Sequence, residues 1–493
     1  MNSHACRGTH LDTHAGLSTA TALREKEFPM SILFDIAYLA LLILVSPVLI
    51  YRSVTAGKYR RGWAQRLLGT VPYRKSRRPC IWFHAVSVGE VHLLPPLVQA
   101  LRWAYPHWDV VISTTTQTGM EVARKRFPDL TVFYSPLDFS WAVARVFYRV
   151  RPSVLVLTEL EIWPNLIRAA KARGVRVAII NARLGDKSFA GYRRARFALR
   201  PIFAAIDLIA VQDAEGKRRF QQLGAHAAAV HVTGSMKYDG AQSDRDNPAT
   251  ARLRNLAGIG RDEVVWIAGS TQEEEEVLAL SVAQKLSRRF PKLRLIVVPR
   301  HPERFDAVAD MLSRSGMPWL RRSQLGDGPD SRVNAATSPE GATSGALPSL
   351  PILLVDSVGE LAAWWGMADV ALVGGSFGRR GGQNMIEPAA YGAAVCFGPN
   401  TWNFRDVVRH FLAAEAAVVV RDKLELERFV TQCLQDPEYR RELGKRAADL
   451  VASHRGAVDR TLALLAPWLE SGARDALESN DRSPEIPAYR EAG

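Results

Sequence analysis

The sequence predicts an α/β protein: two doubly wound parallel-sheet domains in tandem, behind one apolar helix near the N-terminus. Three observations carry this reading. From Cys80 onward, short continuous apolar runs alternate with helical stretches, the pattern of strands covered on both faces. After a polar junction near residues 237–250 the same alternation starts again. Ahead of both lies "ILFDIAYLALLILVSPVLIY", Ile32 to Tyr51, an apolar run followed by nine Lys/Arg and no Asp or Glu between Arg52 and Arg78.

Residues 1–29 show no periodicity and are read as a disordered or misassigned extension, with Met30 as the natural start. Residues 30–51 form the anchor helix, since a bilayer span needs about twenty apolar residues. Asp35 and Pro47 interrupt the run, so a helix lying in the interface is an alternative. The basic segment 52–79 places both downstream domains on the cytoplasmic side of the membrane and favours an anionic membrane surface. A cleavable signal peptide is disfavoured, because the run ends in bulky residues.

The first domain covers 80–236. "CIWFHAV" leads to a helix from Glu90 to Trp103, "DVVISTT" to one near Gly119–Arg126, "TVFYSP" to Asp138–Arg149 and "SVLVLTE" to Trp163–Arg173. "VRVAIIN", "DLIAVQ" and "AVHVTG" complete the strands. A linker at 237–250 leads to the second domain, 251–470. There "EVVWIAGS", "LRLIVVP", "PILLVD", "ADVALVGG", "AAVCFG" and "AAVVV" are the strands. Residues 322–350, rich in Ser, Pro, Gly and Ala, read as a disordered insertion, and 471–493 as a polar tail. Two such domains face each other across a cleft, with sites outside the carboxyl ends of the strands.

The 493-residue length supports at least two cores. The net charge of +14 asks for an acidic partner. Four scattered cysteines, Cys6, Cys80, Cys396 and Cys433, exclude a disulfide framework or a zinc site and fit a reducing compartment. No G-x-G-x-x-G follows the first strand and no Walker A sequence is present.

The chemistry-bearing residues cluster where strands end. In "HAVSVGE" a carboxylate, Glu90, stands at a helix start, where it either caps or reacts. "LTELEIWPN" brings Glu159 to a second strand end, and Glu161 begins the following helix. Lys237 sits at the junction in "GSMKYD". In the second domain "VGGSFGRRGGQNMIEPAAYGAAV" supplies five glycines and two arginines in one loop, suited to an anionic ligand, with Glu387 positioned for ribose hydroxyls. Arg300 in "VPRHPERF" suits phosphate, and Gly359 and Glu360 in "VDSVGEL" form another strand-to-helix turn. In "AGSTQEEEE", Ser270 and Thr271 are the expected N-caps, and the glutamates read as a solvated first turn.

Together "HAVSVGE", "TELEIWPN", "NARLGDKSFAGY", "GSMKYD", "GSTQEEEE", "VPRHPERF", "VGEL" and "GGSFGRRGGQNMIEPAA" resemble the 3-deoxy-D-manno-octulosonic acid (Kdo) transferases of lipopolysaccharide biosynthesis, from about Met30 to Leu469. The resemblance implies a GT-B glycosyltransferase of two Rossmann-like domains, with CMP-Kdo as donor and lipid IVA, the lipid A precursor, as acceptor. It implies Glu90 as general base and Glu159 and Lys237 as stabilisers of the transition state. It places donor contacts on Pro299, Arg300, Val358, Gly359, Glu360, Asn384, Met385, Ile386 and Glu387. No cofactor, metal or nucleic acid is expected. The chain departs from the family at Gln383, where His is usual, and in its longer 322–350 region. Another GT-B enzyme, such as a lipid A disaccharide synthase or sugar-nucleotide epimerase, and a non-catalytic membrane-surface binder are the alternatives.

Overall fold

The apolar runs pair side by side as parallel strands. The protein is a computed structural model that describes residues 31–48, 51, 55, 62–326 and 350–481. The extension 1–29 and most of the 322–350 insertion lie outside these residues. The chain divides into two units, Lys237–Arg455 and the remainder.

The first unit holds β1 (Cys80–His84), β2 (Asp109–Thr114), β3 (Thr131–Tyr134), β4 (Val154–Thr158), β5 (Arg176–Ala182), β6 (Leu208–Val211) and β7 (Val230–Val232). Their order is β3-β2-β1-β4-β5-β6-β7, every neighbouring pair parallel. Direction along the sheet reverses between β1 and β4, the topological switch point where α/β sheets bind ligands. Alternate side chains of β1 enter two cores: Trp82 packs with Phe133 and Phe147, Phe83 with Leu97 and Leu101. The expected Glu90–Trp103 helix is two helices, Val88–Val91 and Leu94–Ala104. Pro95 and Pro96 fall in the first turn of the second, where a missing N–H costs nothing.

Two boundaries differ from the sequence reading. The second unit ends at Arg455, not at residue 470. The helix Ala457–Asp481 instead returns to the first unit, burying Val458, Leu465 and Leu469 in the core that holds Leu97 and Leu101. Trp108 Nε1 donates to the Leu469 carbonyl at 3.0 Å. The same helix carries residues 471–481, read as tail, in regular structure; its apolar stripe has to be covered, and the first core covers it.

The helix Ser31–Val48 is the one helix among the described residues that is long and apolar enough to cross a membrane. Asp35, the residue that interrupts its apolar run, is buried against the first unit. Its carboxylate accepts from Ser140 N–H (2.8 Å), Ser140 Oγ (2.6 Å) and Asn165 Nδ2 (3.0 Å). Tyr38 OH donates to Asp138 Oδ2 at 3.0 Å. Among the described cations after this helix, Arg66 and Arg74 are used inside the fold. Arg66 stacks over Tyr134 at 4.3 Å, and Arg74 donates to Asp109 and to the carbonyls of Arg78, Val150 and Arg151.

The second unit holds β8 (Val264–Thr271), β9 (Leu293–Pro299), β10 (Trp319–Arg321), β11 (Ile352–Leu354), β12 (Val370–Val373), β13 (Ala394–Phe397) and β14 (Val418–Val419). The order β10-β11-β9-β8-β12-β13-β14 is again fully parallel, with its switch point between β8 and β12. Residues 322–326, read as part of the insertion, are ordered here: Arg322 pairs with Glu360 at 2.9 Å, and Ser323 Oγ donates to Asp356 at 2.6 Å. Cys80, Cys396 and Cys433 are free and buried.

Candidate functional site

In the first unit the loops after β1 and β4 meet at the switch point and bring Glu90 and Glu159 into one cluster. Ser87 caps the short helix Val88–Val91, and Glu90 occupies its third position. The Glu90 side chain turns back to the loop. Oε2 accepts from Val86 N–H at 2.8 Å and lies 2.7 Å from Thr158 Oγ1; Oε1 accepts from Ser87 Oγ at 2.8 Å. Ser87 thus both caps the helix through Glu90 N–H and donates to the Glu90 carboxylate.

Burial pushes the Glu90 carboxyl above its ordinary range. The three hydrogen bonds oppose that rise and the charge of Glu159 adds to it. Glu161, named from sequence only as a helix start, joins the cluster: burial, then the charge of Glu90, pushes it up to about 7, while Trp163 Nε1 donates to it at 2.9 Å. His84, at the end of β1, is driven down to about 4 by burial and so carries no charge that could pair with these carboxylates near neutral pH. Its Nδ1 lies 2.9 Å from Ser113 Oγ.

Glu159 is one of five non-glycine residues at positive φ among the described residues, at 56°. Its N–H donates to the Ile180 carbonyl at 2.9 Å, which holds the turn. Such conformations cost about 1–3 kcal/mol and concentrate at functional sites. Asn181 in "NARLGD" has φ 51° and accepts Met236 N–H at 3.0 Å. Lys237 opens the second unit, half-buried between buried Met236 and Tyr238.

In the second unit the glutamate run is not a solvated first turn. Glu273 and Glu274 are exposed, but Glu275 and Glu276 are fully buried. Glu275 accepts the N–H groups of Gly375 (2.8 Å), Ser376 (2.7 Å), Phe377 (3.1 Å) and Gln272 (2.8 Å). Glu276 pairs with Arg304 at 2.7 Å. The N-cap is Gln272, in a reciprocal box with Glu275, not Ser270 or Thr271. Ser270 instead has φ 55°, and its carbonyl lies where a Cβ on Gly374 would come within 2.4 Å. Glu275 thus braces the glycine loop directly after β12.

Gly375, Gly381 and Gly382 in that loop have φ of 66°, 84° and 85°, which side chains resist. Arg380 Nη2 lies 2.8 Å from His301 Nε2, and Arg300 stands exposed at the end of β9. Burial, then Arg380 and Arg300, hold His301 below its usual value, the signature of a positive rim. Arg322 and Ser357 donate to Glu360. Val358 is exposed and Gly359 has φ 97° with open space around it. Asn384 Nδ2 donates to Glu387 Oε1 at 3.0 Å. The side chains of Met385 and Ile386 are fully buried in the core, and Pro299 is buried. Among the described residues no three His, Cys, Asp or Glu side chains are placed to hold a metal ion.

Residues 61–240 match the family model described as 3-deoxy-D-manno-octulosonic-acid transferase (kdotransferase). A 3-deoxy-D-manno-octulosonic acid transferase of Haemophilus influenzae is 34% identical over 442 residues, 88% of this chain and 98% of that relative. The chain belongs to the Kdo transferase family. A second Kdo transferase, from Bordetella pertussis, is 36% identical over 400 residues, 79% of this chain and 87% of the relative. Kdo transferases are glycosyltransferases, and this chain is one of them. Its fold is shared more widely: a UDP-GlcNAc 2-epimerase from Neisseria meningitidis superposes with a TM-score of 0.52 at 12% identity, over 79% of this chain and all of the other. Two doubly wound parallel units are what the GT-B reading requires. Sequence reasoning missed Thr158, Glu275 and Arg322, and underweighted Glu161. Position at a strand end was the signal available for Thr158.

Proposed function

We propose that this Kdo transferase moves Kdo from CMP-Kdo to lipid IVA, with Glu90 as general base. The observation that carries the reading is the buried Glu90 carboxylate, held by Val86, Ser87 and Thr158 at the switch point of the first sheet. Glu90 takes the proton of the acceptor hydroxyl as that oxygen attacks the anomeric carbon. CMP departs from the opposite face and the configuration inverts. The transition state has oxocarbenium character, as in glycoside hydrolysis, and Glu159 and Lys237 stabilise it. Arg300, the backbone at Pro299 and at Val358–Glu360, and Asn384–Glu387 take the CMP moiety, whose phosphate suits the Arg300–Arg380 rim. The helix Ser31–Val48 anchors the enzyme in the inner membrane, its catalytic units on the cytoplasmic side at an anionic surface.

The test is mass spectrometry of products from purified protein, CMP-Kdo and lipid IVA, for wild type and Glu90→Gln. We expect Kdo-bearing lipid from the wild type, and a loss of about 10²–10⁴-fold in the variant. Transfer from a UDP-sugar in place of CMP-Kdo, or near-normal transfer by a folded Glu90→Gln protein, would sink the reading.

A further inference from the structure

Thr158 ends β4 with no exposed surface. Its Oγ1 lies 2.7 Å from Glu90 Oε2 and 2.8 Å from the His84 carbonyl. A hydroxyl has one hydrogen, so it donates to only one of these two acceptors at a time. We infer that Thr158 is a positioning residue for Glu90, turning its one hydrogen between the carboxylate and the His84 carbonyl as Glu90 loses and gains a proton. The inference rests on Glu90 being the base.

The two states differ by one rotation about the C–O bond. With Glu90 ionised, Thr158 donates to Oε2, which also accepts Val86 N–H, while Ser87 serves Oε1. In the chemical step the acceptor O–H bond breaks and its proton passes to Glu90. The acceptor oxygen bonds the anomeric carbon, and CMP leaves with the electron pair of the broken C–O bond. The protonated carboxyl then donates to Thr158 Oγ1, and Thr158 turns its hydrogen to the His84 carbonyl. Thr158 Oγ1 and Glu90 Oε2 each keep a partner in either state, and stranding a buried polar atom is costly. The β-branched side chain has few χ1 options, so Oγ1 stays in place while only the hydrogen moves.

The titratable groups of β1 and of the loop after β4 do not favour its charge. Glu159 and Glu161, on the loop after β4, are acidic, and buried His84, at the end of β1, is held neutral. The hydrogen bonds from Thr158, Val86 and Ser87 are what favour its ionised form here, and a bond to an ionised acceptor is the stronger kind. Losing the Thr158 hydroxyl therefore raises the Glu90 pKa.

The experiment is kcat/KM against pH for full-length wild type, Thr158→Val, Thr158→Ser, Thr158→Cys and Glu90→Gln, with CMP-Kdo and lipid IVA. Thermal unfolding serves as the folding control. Valine keeps the shape and removes the hydroxyl. We expect kcat to fall about tenfold with KM little changed, and the acidic limb to move up by about one pH unit. Serine restores the wild-type limb. Cysteine, a weaker donor, gives an intermediate limb and carries the test should valine fail to fold. An unmoved limb in valine, a wild-type limb in cysteine, or a serine protein that does not recover overturns the role of Thr158. Near-normal transfer by Glu90→Gln overturns the base itself, a separate outcome.

Discussion

The Glu275 carboxylate accepts the N–H of Gly375 at 2.8 Å, joining the first turn of one helix to a loop a hundred residues later. With Ser376, Phe377 and Gln272 also donating to it, one buried side chain sets the conformation of the glycine loop. Glutamine at 275 would turn an amide N–H₂ toward backbone N–H donors. We expect Glu275→Gln to destabilise the protein by about 2–4 kcal/mol and to weaken CMP binding, read by chemical denaturation and calorimetric titration. Unchanged CMP affinity in a folded variant would separate the loop from the donor site.

Gly374 makes a second test of the same loop. A Cβ there would sit 2.4 Å from the Ser270 carbonyl oxygen, and the nearest atoms are all Ser270 and Thr271 backbone, with no flexible side chain to yield. Gly374→Ala should cost at least about 1–3 kcal/mol by overpacking. A melting temperature equal to wild type would contradict the closeness of this approach.

Glu161 makes the first unit sensitive to pH. Its carboxyl binds a proton more tightly folded than unfolded, with a value raised from 4.5 to about 7. At pH below 4.5 the group is protonated in both states and contributes nothing. As pH rises from 4.5 to about 7 the unfolded chain gives up its proton first, so stability falls across that window. Glu161→Gln should flatten this part of the curve of melting temperature against pH. A variant curve parallel to wild type would contradict the assignment.

Asp35 ties the apolar helix to the first unit through Ser140 and Asn165. Asp35→Ala removes three hydrogen bonds and takes the acceptor from the half-buried Ser140 donors, while Asn165 Nδ2 keeps its bond to the Asp138 carbonyl. We expect faster hydrogen exchange at the Ser140 amide, which donates to Asp35 directly, and no loss of membrane association, since the apolar stretch is untouched. Unaltered exchange at that amide would show the helix to be held by packing alone.

Much of this was legible in the chain. Strand and helix alternation, the apolar helix, the placing of Glu90, Glu159, Arg300 and Glu360 after strands and of Glu387 at a helix start are local patterns, set by periodicity and by which residues come after an apolar run. The sequence by itself thus determined two doubly wound units, the helix before them and the family. It could not assign burial to individual charges. Glu275 and Glu276 look like Glu273 and Glu274 until the glycine loop folds over Glu275 and Arg304 pairs with Glu276. Thr158 meets Glu90 across 68 residues, Asp35 meets Ser140 across 105, and Trp108 meets Leu469 across 361. Tertiary structure alone decided these partnerships, because a hydrogen bond depends on where two atoms lie in space, and over such separations local sequence does not encode distance.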